Sequence, residues 1–402
     1  MRIKLIKTLP ALLFLIFFIT CEKEKPQGLY DPDYASNPVP VITSIDPPES
    51  ALAGIVEITI SGNNFSPRVD ENLVYFNKTR ADVLEASPTQ LVVQSPNLVS
   101  DSIMIKVAVQ GSVHFSELMP YKLIEGVGIH GELTDFDEPY GIACDRDENL
   151  YVSLAGKKII RIAPDGTQED YTTTLVDKAS AMKMGPGGTI YYVNVLKYMF
   201  RIPPGGGTNE FFATLPGGVY DLDFDANGNI FCGGGGNAIY CVKSDGSSQT
   251  VADYASIYIR AVRVFNDFIY VAGEYLGADV NQVKEGVWRN KILNPAGELD
   301  SNELVFDWGK HFDATQYHIA SMTFAADGDL YVGTNAPEVI IVVHPDASYE
   351  SLYPGVLEPE TYALCWGTKE YLYVNRRGDE PGKKRIIRIN MLKAGAPYYG
   401  RQ

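Results

Sequence analysis

The chain has 402 residues, with 34 Lys and Arg against 50 Asp and Glu and a formal charge of −16. So acidic a chain lacks the clustered bases that neutralise phosphates, which argues against polyanion binding and excludes nucleic acid as its partner. Hydrophobic residues at 45% and aromatics at 11% exclude a disordered chain, and 37 Gly, 24 Pro and 25 Tyr favour an all-β protein of short strands and turns.

Arg2, Lys4 and Lys7 precede an unbroken apolar run from Leu9 to Ile19. At ~1.5 Å per residue such a run falls short of a ~30 Å hydrocarbon core. Residues 1–20 therefore read as a secretory signal peptide. The run ends in Phe18-Ile19-Thr20-Cys21, which resembles a bacterial lipobox, although Phe18 and Thr20 depart from the commoner Leu and Ala or Gly. The resemblance implies lipidation of Cys21, and several acyl chains anchor stably where one is marginal. Residues 21–40 are polar and rich in Pro and read as a tether. Glu22 and Glu24, directly after the cysteine, resemble the export signal of Bacteroidota surface lipoproteins. That implies attachment to the outer membrane and display at the cell surface.

Residues 41–123 alternate apolar and polar residues in short runs: VITSI, then IVEITI, LVYFN, QLVVQ and SIMIKVAV, with turns between them. This predicts a small sandwich. Ile45-x-Pro47, Ile58-x-Ile60-x-Gly62-x-x-Phe65, Val74-x-Phe76 and Val92-Val93-Gln94-Ser95-Pro96 resemble the IPT/TIG family. The resemblance implies an immunoglobulin-like fold serving as a spacer or docking module. Tyr75 and Phe76 read as one surface and one core residue of a strand.

Residues 124–402 carry a repeat. Its units begin at Tyr140, Ser180, Tyr220, Arg260, Ala320 and Tyr362, forty residues apart but for sixty after the fourth and forty-two after the fifth. Each unit has an apolar strand, an Asp/Gly/Asn turn, a strand like LYV, a variable loop, a strand like IIRI and a Pro-Asp-Gly-like turn. A more polar fourth strand completes it. One such sheet cannot bury both faces, whereas six packed radially can. The reading is a six-bladed β-propeller, with an insertion in the fourth unit near Tyr275 to Val287 and closure by residues 127–136 as an outer strand of the last blade. The units resemble NHL-type propellers and, more loosely, the gluconolactonase and virginiamycin-lyase propellers. Fold of this kind does not determine function.

Equivalent positions forty residues apart fall in a ring at one channel mouth. Tyr140, Tyr220, Tyr258, Arg260, His318, Glu360 and Tyr362 are the candidate ligand-binding residues, because sugar faces stack on Tyr while hydroxyls pair with charged groups. The ring also includes Glu138 and Lys178. No catalytic motif is present, and neither a metal nor another cofactor is expected. Cys232 and Cys241 flank a Gly-rich hairpin and either face each other or act, like Cys144 and Cys365, as buried thiols. The whole arrangement resembles lipoproteins of Bacteroidota found with outer-membrane glycan uptake systems. It implies non-catalytic capture of a polysaccharide or oligosaccharide, with an outer-membrane transporter and surface lipoproteins as partners. Two alternatives stand beside it. One is a metal-assisted hydrolase or lyase, gluconolactonase-like or virginiamycin-lyase-like, with His318 and Glu360 in the mouth; for it, Asp221 and Asp223 are the nearest approach to a carboxylate metal set. The other is a protein-interaction platform.

Overall fold

The computed structural model describes residues 35–401. The signal peptide, Cys21 and most of the tether lie outside them. The first domain is a sandwich of two sheets. One orders Val41–Asp46, Glu57–Asn63, Gln90–Gln94 and Val83–Ser87; the other orders Ser50–Leu52, Met119–Ile124, Ser100–Val109, Asn72–Phe76 and Thr79–Ala81. Alternation sends Ile58, Ile60, Phe76, Leu91, Ile103 and Ile105 into the space between the sheets, where all are fully buried. Tyr75 stays on the outside, 6.1 Å from Phe115.

The second domain is a β-propeller of six four-stranded antiparallel sheets. The inner strands are Pro139–Cys144, Ala181–Met184, Asp221–Phe224, Ile257–Phe265, Ile319–Phe324 and Thr361–Trp366. Apolar clusters fill the spaces between adjacent blades, so both faces of each sheet are covered. The repeat has a hydrogen-bonded cause. In the turn after the first strand, Asp145 Oδ1 accepts the amides of Asp147 and Asn149, and Asp225 Oδ1 those of Asn227 and Asn229. Such Asx geometry is why that turn is spelled with Asp and Asn.

The ring closes through Val127–Ile129, which pairs antiparallel with Arg385–Asn390 as the outer strand of the sixth blade. The strand is shorter than residues 127–136; the chain leaves it at His130 to cross toward Pro139. The extra length of the fourth blade is not one loop near Tyr275 to Val287. Glu285–Lys291 is the third strand itself, and the added residues are divided among 276–284, 292–302 and the stretch from Trp308 to Ile319. Trp308, fully buried, explains the last of these: its indole N–H donates to Tyr317 O at 2.8 Å and packs that loop against the blade.

The four cysteines after Cys21 are free and buried. Cys232 lies opposite Tyr240, and Phe231 opposite Cys241. The two-residue period thus sends Cys232 and Cys241 to opposite faces of the third blade, which rules out facing each other.

Candidate functional site at the propeller mouth

The inner strands begin irregularly. Register shifts fall between Pro139 and Ile142, Ile259 and Ala261, Ile319 and Ser321, and Thr361 and Ala363. The residues left outside regular pairing include Tyr140, Arg260, Ala320 and Tyr362, the repeat-equivalent set. A bulge at a sheet rim re-aims a side chain, and here it recurs at the same mouth in four blades.

The mouth is an open bowl of about 370 Å³ that includes Tyr220, Arg260, His318, Glu360, Tyr362 and Arg377 in its wall. Tyr258 adjoins it, with ring centroids 6.3 Å from Tyr220 and the Arg260 guanidinium 5.3 Å over its ring. Tyr140 meets Tyr362 edge-on at 5.6 Å. The seven candidate residues are thus brought to one place, but not in one role. Tyr140 is only 4% exposed, and two cations lie over its ring, Lys178 at 4.1 Å and Arg377 at 4.2 Å. Its aromatic surface holds those cations instead of facing solvent. Tyr220, Tyr258 and Tyr362 are half-buried and remain the aromatic wall. Burial pushes the Tyr220 and Tyr362 phenols above the ordinary tyrosine range, so both stay neutral donors.

His318 is held by a carboxylate other than the expected one. Its Nδ1 is 2.8 Å from Oε2 of Glu285, which is fully buried and also accepts the Ile319 amide. Burial, opposed by the bonds from His318 and Ile319, raises Glu285 to about 7. Glu360 sits exposed on the rim, with no hydrogen bond to the imidazole. Arg260 is neutralised by Glu274 at 2.6 Å.

The sequence missed Glu285, Glu274 and Arg377. Arg377 belongs to the charged loop RRGDEPGKK, between the second and third strands of the sixth blade; Glu285 opens the third strand of the fourth. Both reach the mouth because second strands end, and third strands begin, on the side where first strands begin. That rule of the up-and-down sheet was the available signal.

Below the bowl the channel is charged and closed. Arg263 and Asp221 are buried and 2.6 Å apart; Asp221 also accepts the Val262 amide, and Asp223 that of Val264, both at 2.9 Å. These carboxylates join the third blade to the fourth. Among the described residues no group of three or more His, Cys, Asp or Glu side chains is placed to hold a metal ion. The C-terminal segment crosses the far end: Ala396 donates to Phe324 O, the Tyr398 hydroxyl to Met184 O, and Arg401 to the carbonyls of Trp366 and Gly367.

The model of the IPT/TIG domain matches residues 40–121. No curated protein matches the sequence. Among solved structures, the chain is similar to an auxiliary nutrient binding protein from Bacteroides thetaiotaomicron (11% identity, TM-score 0.51, 89% of this chain and 99% of that one). It is equally similar to an auxiliary nutrient binding protein from Bacteroides ovatus (13%, 0.50, 89% and 99%). A Bacteroides thetaiotaomicron protein provisionally described as a phosphatase gives 12%, 0.54, 89% and 98%. At such identities the likeness shows the fold alone; this chain is all-β, with an N-terminal TIG domain followed by a β-propeller.

Proposed function

We propose that this protein is a lipid-anchored surface protein of the outer membrane that captures an oligosaccharide or polysaccharide in the propeller mouth without chemical conversion, in aid of glycan uptake. The observation that carries the reading is the bowl, where half-buried tyrosines and fixed hydrogen-bonding charges converge on an open space of about 370 Å³, within the size range of small-ligand sites. The likeness to proteins described as auxiliary nutrient binding supports it. Lipidation of Cys21 would supply the anchor, and the TIG domain the spacing from the membrane.

Affinity electrophoresis through gels containing single glycans tests capture. The wild-type protein should be retarded by at least one glycan, and Tyr220→Ala and Tyr362→Ala should each restore mobility, since a lost stacking contact is worth roughly 1 kcal/mol or more. Equal migration of all three on every glycan would remove the reading.

One observation favours a second reading. His318, oriented by buried Glu285, has the form of a general acid or base facing the bowl. If it serves a hydrolase or lyase, incubation with a retained glycan should release smaller products, and His318→Ala should abolish release while leaving retention intact.

A further inference from the structure

In a chain of net charge −16 the mouth holds an unneutralised pair of cations. Lys178 Nζ donates to the Tyr140 hydroxyl at 2.7 Å, and Arg377 Nη2 donates to the same oxygen at 3.1 Å. Arg377 also lies 5.2 Å from the centre of the Tyr362 ring. Among the described residues neither Lys178 nor Arg377 has a carboxylate within 4.0 Å. The other mouth cations are satisfied: Arg260 by Glu274 at 2.6 Å, and Lys384 by Glu138 at 3.6 Å. Glu138 accepts the Tyr140 hydroxyl at 3.2 Å, so one carboxylate stands beside three cations. Glu360 and Asp379 are exposed on the rim, where water solvates them, whereas Lys178 and Arg377 are half-buried. Two like charges brought to one hydroxyl repel, and cation–π contact offsets this only in part. An anion between them would remove the repulsion, and the planar guanidinium fork would fix its orientation.

We infer that the ligand of the mouth is an anionic oligosaccharide whose carboxylate or sulfate group is gripped by Arg377 and Lys178 while its rings lie against Tyr220 and Tyr362. This rests on the capture reading and narrows it. The negative charge of the whole molecule works against the approach of such a ligand, so the cations serve short-range recognition and not steering.

Titration calorimetry on the mature protein tests the inference with three probes that share a galactose-type ring: oligogalacturonate, a sulfated galactan oligosaccharide and a neutral galactan oligosaccharide. One of the anionic probes should bind at least tenfold more tightly than the neutral one, and which of the two does so identifies the acidic group. The preference should shrink several-fold between 50 and 500 mM NaCl. Arg377→Gln and Lys178→Gln should each lose most of it while thermal melts show the fold retained. Because the wild-type comparison needs no variant, a folding defect cannot decide the result. Equal affinity for neutral and anionic probes would overturn this inference and leave capture standing. No binding of these probes alongside retention of some other, neutral glycan in gels would also overturn it alone. Failure to bind any glycan in either assay would overturn both.

Discussion

Ala347 occupies a left-handed backbone position, φ 67°, in the turn where the first and third blades carry Gly166 and Gly246 at φ 89° and 84°. The hydrogen bond is the same in all three: Ala347 to His344 O, Gly166 to Ala163 O, Gly246 to Lys243 O. A Cβ in that region costs roughly 1–2 kcal/mol, and glycine gives back about 0.5–1 in chain entropy. Ala347→Gly should therefore raise stability by about 0.5–1 kcal/mol in urea melts; a loss would show that the Ala347 methyl packs usefully. Two buried titrating groups act in opposite senses. Burial, opposed by its hydrogen bonds, lifts Glu285 from 4.5 to about 7, so its contribution is complete below pH 4.5 and lost as pH rises to 7. Burial, then the nearby Arg388 charge, lowers His130 from 6.5 to about 4, so its contribution is complete above pH 6.5 and lost as pH falls to 4. Each displacement corresponds to roughly 3 kcal/mol. The two contributions oppose each other between pH 4.5 and 6.5, so each masks the other in the wild-type protein. Glu285→Gln should become more stable as pH rises across that window, and His130→Phe less stable. Parallel stability profiles for all three proteins would refute the assignment.

Between elements, the turn joining the first two strands of the first blade sends Glu148 across to the sixth. Its carboxylate, only 5% exposed, accepts the Thr368 amide and hydroxyl, the Lys369 amide and the Tyr373 hydroxyl. A carboxylate whose two oxygens accept four donors cannot be replaced by an amide with one acceptor oxygen without leaving donors unpaired. Glu148→Gln should cost roughly 2–3 kcal/mol, measured as a lower urea midpoint at unchanged slope. A cost within a few tenths would mean that the blades hold together by apolar contact alone. This link illustrates what the chain reveals before it folds. The strands, the forty-residue period and the ring of first-strand residues are local patterns repeated, so they are visible in the letters. Glu148, Glu285 and Arg377 come from turns and later strands, where no period applies, and only the three-dimensional order of the sheets brings them to their partners. The division of the insertion in the fourth blade was hidden for a related reason: Glu285-Gly286-Val287 reads as loop until Trp288 and its neighbours are seen to continue the pairing. The C-terminal segment, with AGAPYY in place of an alternating pattern, carries no strand signal, yet the carbonyls it donates to lie on three different blades.

At the scale of the molecule, the ring is shut by a strand that follows directly on the sandwich's last one. Met119–Ile124 ends the sandwich, and Val127–Ile129 already belongs to the sixth blade. The pairing is short, with Val127 opposite Ile389, Gly128 opposite Arg388 and Ile129 opposite Ile387. Flanking bonds extend it, from Asn390 to Gly126 O and from His130 to Ile386 O, both 2.8 Å. The amide of Gly128 lies in register between these, so proline at that position removes a ladder donor without touching an apolar core. The two domains have separate cores, which predicts that the damage stays on one side. In Gly128→Pro, amides of Arg385–Asn390 should exchange with solvent at least tenfold faster, a change of about 1.4 kcal/mol in opening free energy. The sandwich amides of Glu57–Asn63 should exchange as in the wild-type protein. If both segments accelerate together, sandwich and propeller open as one cooperative unit. If neither does, the outer strand does not control opening of the ring, and closure depends on the inner contacts made by Glu148 and the C-terminal segment.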